Sequence, residues 1–168
     1  MIVRPATVND AVAVASILNA FLATTTIEWT DTPQTEQSVL DWLDDHEAVL
    51  VAEDADEVVG VAAFGWFRDV MKRPGYRYTV EHTIHIREDC WGGGIGRALM
   101  DALIDAARRS GKHSMIGAID GANEASIRFH ERLGFVEVGR LPEAGAKFGR
   151  WCDLVLVELH LDARPIPE

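Results

Sequence analysis

Residues 79–100 read TVEHTIHIREDCWGGGIGRALM: a strand pattern, a glycine run and the first turns of a helix. Thr79 to Arg87 is rich in β-branched residues, with Ile84 and Ile86 on one face of the expected strand and Glu81, Thr83 and His85 on the other. Four of the five residues from Gly92 to Gly96 are glycine. From there Ile95, Leu99 and Leu103 recur at helical spacing, with Ala98, Ala102 and Ala106 beside them. A glycine turn entering a helix presents N–H groups that have no partner inside the helix, and the positive end of the helix dipole reinforces them. The turn is therefore expected to hold a phosphate-bearing ligand at the start of a helix beginning near Gly94.

Two common phosphate loops are excluded by the residues themselves. A nucleotide-triphosphate loop needs Lys-Ser or Lys-Thr after its last glycine, and Arg97-Ala98 stands there. A dinucleotide fingerprint needs glycine at 99 or 97, and these are Leu99 and Arg97.

The 168 residues suit one domain with a sizeable core. With 48% hydrophobic and 26% charged residues the composition is that of an ordinary globular protein. The net charge of −11 argues against nucleic acid and anionic membranes as partners. No apolar run approaches the roughly 18–20 residues that span a bilayer. The N-terminal MIVRPATVNDA lacks the basic-then-apolar pattern of a signal peptide, so a cytoplasmic protein is expected. Cys90 and Cys152 are far apart and read as two buried thiols rather than a metal or redox pair.

Along the chain, Ile2 to Ala6 reads as a strand, and Thr7-x-x-Asp10 as a helix start followed by Val14, Ile17, Leu18, Phe21 and Leu22 on one face. Thr24 to Asp31 is a loop. Thr32-Pro33 is expected to open a second helix with Val39 and Leu43 beneath it. Ala48–Glu53 and Val58–Phe67 form a hairpin, and Arg68–Gly75 a cation-bearing loop. The central helix ends near Ser110-Gly111. Ser114–Ile119 is a strand, Asn123 caps a helix ending at Leu133-Gly134, and Phe135–Leu141 and Trp151–Leu161 finish as strands before a polar tail, 162–168. The class is α/β or α+β around one sheet of mixed strand directions.

Trp91-Gly92-Gly93-Gly94-Ile95-Gly96 resembles the acetyl-CoA loop of the GNAT superfamily of N-acetyltransferases, with Trp91 in place of the usual first polar residue. A second stretch, Asn123 to Phe135, resembles the later signature of that superfamily: Asn123, Ser126, Gly134-Phe135 at the right intervals, and His130 where a tyrosine is usual. Tyr76-Arg77-x-Thr79-Val80-Glu81, His130 and Lys147-Phe148-Gly149-Arg150-Trp151-x-Asp153 are similar to the branch typified by phosphinothricin and methionine sulfone or sulfoximine N-acetyltransferases. The resemblance covers nearly the whole chain. It implies a single domain over 1–168, a mostly antiparallel mixed sheet flanked by about four helices, acetyl-CoA as co-substrate with no metal, a small-molecule amine as partner and a homodimer.

Acetyl transfer to an amine needs a proton acceptor, alignment of the reactants, an oxyanion donor and a proton for the departing thiol. Glu81 is the candidate base, directly or through water, or else an exposed strand carboxylate or a partner of Arg77. By resemblance, the backbone of Ile84, His85 and Ile86 runs along the pantetheine arm, with an N–H near Ile86 as oxyanion donor. His130 is the candidate acid, or a packed helix histidine beside the cofactor. Gly92, Gly93, Gly94, Ile95, Gly96 and Arg97 are expected at the pyrophosphate, Asn123 at the pantetheine and Arg132 at a phosphate. Solvated helix charge is the other reading of these arginines, and the better one for Arg128. His82 and His85, three apart on a strand, point to opposite faces and cannot share a metal.

On the substrate side, Arg73, Pro74, Gly75, Tyr76 and Arg77 would meet a carboxylate and polar head, an arginine gripping a carboxylate through two parallel hydrogen bonds; ordinary loop solvation is the alternative. Trp29, Phe64, Trp66 and Phe148 are candidates for the pocket wall or for the core. The expected activity is acetylation of the α-amino group of a small L-amino acid such as methionine sulfone, methionine sulfoximine or phosphinothricin, by direct attack in a ternary complex. A polyamine, an aminoglycoside or a protein N-terminus as acceptor, and a non-catalytic CoA sensor, are the alternatives.

Overall fold

The computed structural model describes residues 1–165. Of the tail expected at 162–168, the last three residues lie outside this range. Seven strands form one sheet in the order β1-β2-β3-β4-β5-β7-β6. They are β1 Ile2–Pro5, β2 Ala48–Asp54, β3 Glu57–Trp66, β4 Thr79–Ile86, β5 Ser114–Asp120, β6 Val136–Lys147 and β7 Arg150–His160. Only β4 and β5 run parallel; the other neighbours are antiparallel. The helices are α1 Ala11–Asn19, α2 Glu36–Asp45, α3 Ile95–Arg109 and α4 Glu124–Arg132.

Both faces of the sheet are covered, which is why β3 reads as an almost unbroken apolar run. Val49, Val51, Val61 and Ala63 face α1 and α2, packing with Val14, Ile17, Phe21 and Val39. On the other face Phe64, Val80, Met115, Val155 and Val157 pack with Leu99, Met100, Leu103 and Ile104 of α3.

Three boundaries differ from the sequence expectation. The second helix starts at Glu36 with Thr35 as its cap, not at Thr32-Pro33. Thr35 Oγ1 accepts from the Ser38 N–H (3.1 Å), and Ser38 Oγ accepts from the Thr35 N–H (2.8 Å). That reciprocal cap satisfies two backbone donors, which a proline at the first turn does not. Thr7 and Asp10 do cap, but the turn they begin is a short 3-10 helix over Val8–Asp10, and Phe21 and Leu22 fall beyond the end of α1. The sixth strand runs six residues past Leu141 to Lys147, because a register shift between Leu141 and Gly145 absorbs Pro142. A Phe148-Gly149 turn, both residues at positive φ, then joins it to β7.

This hairpin braces the loop after α1. Lys147 Nζ donates to the Glu28 carbonyl at 2.6 Å. Trp29 lies so close to Gly145 that a Cβ there would stand 2.2 Å from its ring. Glu28 and Trp29 are thereby placed over the carboxyl end of β4.

Candidate active site

The site is created by a failure of pairing. β4 matches β5 only from Thr79 to His82, while β5 continues alongside β7 as far as Asp120. Beyond His82 the two strands part, and the edge of β4 from Thr83 to Ile86 that faces β5 has no ladder partner. Backbone groups in such a gap must find a ligand or water.

One side of the gap opens into a cleft of about 650 Å³. Ile84, His85, Ile86, Gly92, Gly94, Ile95, Gly96, Arg97, Asn123 and Arg132 all line it, so nearly every residue expected at a cofactor is brought together there; Gly93 is not among the lining residues. Gly94 caps α3 at φ 82° and no side chain caps that helix end. Nothing lies within 4 Å of where a Cβ would stand on Gly92 or Gly94. Gly96 is required for a different reason, since a Cβ there would meet Ile86 at 2.8 Å and Phe129 at 3.3 Å. Trp91 lines the cleft beside the turn, donating from Nε1 to the Ile86 carbonyl at 2.9 Å and stacking on Phe21, which also lines it. Arg97 is held by Asp101 at 2.8 Å, and Arg128 pairs with Glu124 at 2.8 Å on the surface. Asn123 caps α4, its side-chain oxygen accepting from the Ser126 N–H at 3.1 Å.

The other side is a cavity of about 900 Å³ between α1, α2 and the sheet. Five carboxylates line it, Glu28, Asp44, Asp45, Glu81 and Asp120, and among the described residues no lysine or arginine does. Glu81 keeps its side chain exposed to the cavity, and partial desolvation by the surrounding walls raises its pKa above the ordinary glutamate value, with Arg68 opposing the rise. A carboxylate so tuned holds a proton more readily at neutral pH than a free one. Asp120 is buried; one oxygen accepts from the Ala122 N–H at 2.9 Å and the other has no partner among the described residues. Trp29 and Trp66 form part of the wall together with Trp42, whereas Phe64 is core and Phe148 is exposed.

Arg73, Pro74, Gly75, Tyr76 and Arg77 are not among the residues lining this cavity. They lie in an exposed segment with a 3-10 turn at Pro74–Tyr76, where Arg77 donates to the Pro74 carbonyl at 3.2 Å and stacks over Tyr78.

Between the two spaces lies a narrow passage of about 70 Å³, which shares Glu28, Thr83 and Asp120 with the cavity and Ile84 and Ser126 with the cleft, and has His130 in its wall. His82 and His85 point away from one another, as strand alternation dictates. His85 is buried against Phe21, with Nε2 3.0 Å from Glu28 and 3.1 Å from Thr83 Oγ1. His82 turns to the opposite face, where its Nε2 lies 2.9 Å from Nε2 of His130. The remaining nitrogen of His130 is 2.7 Å from the Ser126 carbonyl. Both nitrogens of His130 are therefore occupied, and a proton can leave the ring only through a neighbour.

A model of the acetyltransferase (GNAT) family matches residues 14–135. The chain belongs to that family. The L-methionine sulfoximine/L-methionine sulfone acetyltransferase of Salmonella typhimurium is 39% identical over 172 residues, covering 100% of this chain and 99% of the relative. A phosphinothricin N-acetyltransferase of Streptomyces viridochromogenes is 35% identical over 174 residues, covering 98% and 92%. A solved acetyltransferase from Salmonella typhimurium with its cofactor acetyl-CoA superposes with a TM-score of 0.95 at 39% identity, covering 100% of this chain and 98% of that one.

The GNAT cleft of this chain suits acetyl-CoA on its own terms. The bare turn at 92–96 and the uncapped start of α3 present N–H donors to phosphate. The unpaired edge of β4 offers main-chain partners to an amide-bearing arm, and Arg97 and Arg132 add cations. His82, Asp120, Glu28 and Trp42 are site residues that the motifs do not announce. The one signal for Asp120 was its place just before the Asn123 cap; the other three carry none, because strand splay and loop bracing bring them in.

Proposed function

We propose that this acetyltransferase moves the acetyl group of acetyl-CoA to the α-amino group of a small L-amino acid of the methionine sulfone, methionine sulfoximine or phosphinothricin kind, in a ternary complex. The observation that carries the reading is the splay of β4 from β5, which sets a phosphate-ready cleft on one side and an acidic cavity on the other with a passage between them. Enzymes with those substrates in their names align with the chain over almost its full length.

In this reading acetyl-CoA supplies the activated acyl group when bound, its diphosphate held by the main chain of 92–97 and its arm by residues 84–86 and Asn123. The acidic cavity attracts an ammonium and orients it toward the passage. Glu81, on the cavity face of β4 with its pKa raised, takes the proton that the amine must lose. The N–H near Ile86 is the donor for the developing oxyanion.

The cavity holds no cation for the substrate's carboxylate, so that contact is assigned to Arg73 and Arg77 on the segment that leaves the rim after Trp66 and returns two residues before Glu81. We read 1–168 as one N-acetyltransferase domain acting in the cytoplasm, where its acetyl donor is made. We read it further as a homodimer, since Val136, Val138 and Leu141 leave an exposed apolar row on β6, a strand at the edge of the sheet.

The test is a panel of amines with acetyl-CoA, following free thiol. Methionine sulfone and sulfoximine should turn over. Arg73→Ala and Arg77→Ala should raise KM for methionine sulfone by about tenfold and leave KM for its decarboxylated amine unchanged. Equal losses on both amines would remove the arginines from substrate recognition, and turnover of polyamines alone would replace the amino-acid reading.

A further inference from the structure

We propose that His82 sets the protonation of His130, and that the two rings exchange a proton with the cofactor cleft through Ser126. The proposal rests on the acetyl-transfer reading for its purpose, while its contacts belong to the free protein.

The hydrogen-bond inventory of the pair decides where its protons sit. His82 Nδ1 is 2.9 Å from the Ile116 carbonyl, and a carbonyl oxygen only accepts, so His82 carries its proton on Nδ1. A neutral His82 then has a bare Nε2. The 2.9 Å contact between the two Nε2 atoms therefore needs a proton on His130 Nε2. That leaves His130 Nδ1, which faces two groups of Ser126: the carbonyl at 2.7 Å, and the hydroxyl at 3.4 Å. With a third proton on Nδ1 the pair is cationic and the carbonyl contact is a hydrogen bond. With two protons the pair is neutral, and Nδ1 accepts from the hydroxyl instead.

Each form has one strength and one cost. The cationic form satisfies every nitrogen but places charge beside Phe129 and Phe135, which meet the His130 ring edge-on at 5.2 and 5.3 Å. Burial accordingly lowers the pKa of both rings, while the carbonyl contacts oppose it. The neutral form avoids buried charge and keeps only the longer hydroxyl contact.

Around the pair, β5 contributes Asp120, the loop after α1 contributes Glu28, and β4 contributes His85 through the passage. From β7, the apolar Val157 packs over Gly117 beside His82.

Ser126 lines both the passage and the cofactor cleft, so it is the exit for the third proton. The step balances. The Nδ1 proton lies between the Ser126 carbonyl at 2.7 Å and the hydroxyl at 3.4 Å, and it passes from the carbonyl contact to Oγ as the hydroxyl's own proton passes to the departing thiolate. A thiol forms, the hydroxyl is restored, and the pair falls from one positive charge to none. Solvent returns the proton, matching the one that Glu81 removes from the amine. His82 is a positioning residue, since it acts only by holding His130 in the form whose Nδ1 faces Ser126.

The experiment is nitrogen-15 NMR of the imidazoles in the full-length free protein between about pH 8 and pH 5, followed by pH profiles of kcat. His82 should keep its Nδ1 proton throughout, and the pair should take up one proton, on His130 Nδ1. Ser126→Ala removes the donor of the neutral form, so the uptake should move to higher pH, and kcat should fall about tenfold or more. His82→Gln should give His130 mixed tautomers and shift the limb of its kcat profile, with little change in KM for acetyl-CoA. Independent uptake of two protons, or a Ser126→Ala midpoint equal to that of the unmodified protein, would overturn the proposal. Because the spectra need no substrate, they stand or fall apart from the amine assigned above.

Discussion

The two spaces on either side of the β4–β5 splay are made of different material. The cofactor cleft offers its polar contacts chiefly through main chain, from glycines that leave amides bare, a helix start without a side-chain cap and an unpaired strand edge, set among apolar side chains such as Phe21, Ile27 and Phe129. The acidic cavity is side chains, contributed by the loop after α1, α2, β3, β4 and β5. Main-chain recognition needs a contiguous stretch of a few residues in special conformations. Side-chain recognition gathers residues tens of positions apart, and its properties depend on their ionisation. The two halves should therefore respond differently to substitution and to pH.

The largest contrast comes from Glu81→Gln. Loss of the proton acceptor should lower kcat by about a hundredfold or more, while calorimetry shows acetyl-CoA binding unchanged. Retention of full activity at neutral pH would take the base role from Glu81 and leave the acidic cavity as a binding surface only.

A smaller effect of the opposite kind is expected for Gly94→Ala. A side chain has room there, but φ is 82° and an L-residue pays about 1–2 kcal/mol for that region. Acetyl-CoA should bind about tenfold more weakly by calorimetry, with the pH profile for the amine unmoved.

The smallest is electrostatic. Since partial desolvation in the cavity raises the Glu81 pKa, the acid limb of kcat/KM should lie above the roughly 4.3 of a free glutamate, activity falling as pH drops through the raised value and Glu81 becomes protonated. Arg68 lowers that pKa, so Arg68→Ala should move the limb to higher pH. A limb that moves down would reverse the sign of the Arg68 contribution and dissolve the distinction between a titrating cavity and a main-chain cleft.

Legibility followed the same division. Gly92 to Gly96 and Asn123 could be found because a turn with positive φ and a helix cap are local demands written in neighbouring residues. The strand faces around Glu81 and His85 were legible through simple alternation. The start of α2 was not, because two threonines compete and only the reciprocal bonds of Thr35 and Ser38 choose between them. Pro142 reads as the end of a strand, yet the bulge beside it lets β6 run on to Lys147, and the extended hairpin carries the lysine that ties down Glu28. His82 was legible only as a strand residue facing away from His85, since its partner His130 is 48 residues away.

Residue order alone determined that a phosphate-binding turn joins a strand to a helix and that a second cap follows it, because φ preferences and helix capping act over three or four residues. Tertiary structure decided that β4 and β5 part after His82, that five carboxylates share one cavity without a lysine or arginine, and that two histidines meet nitrogen to nitrogen. Those outcomes depend on register, burial and the path of distant loops, and such quantities exist only once the sheet has assembled.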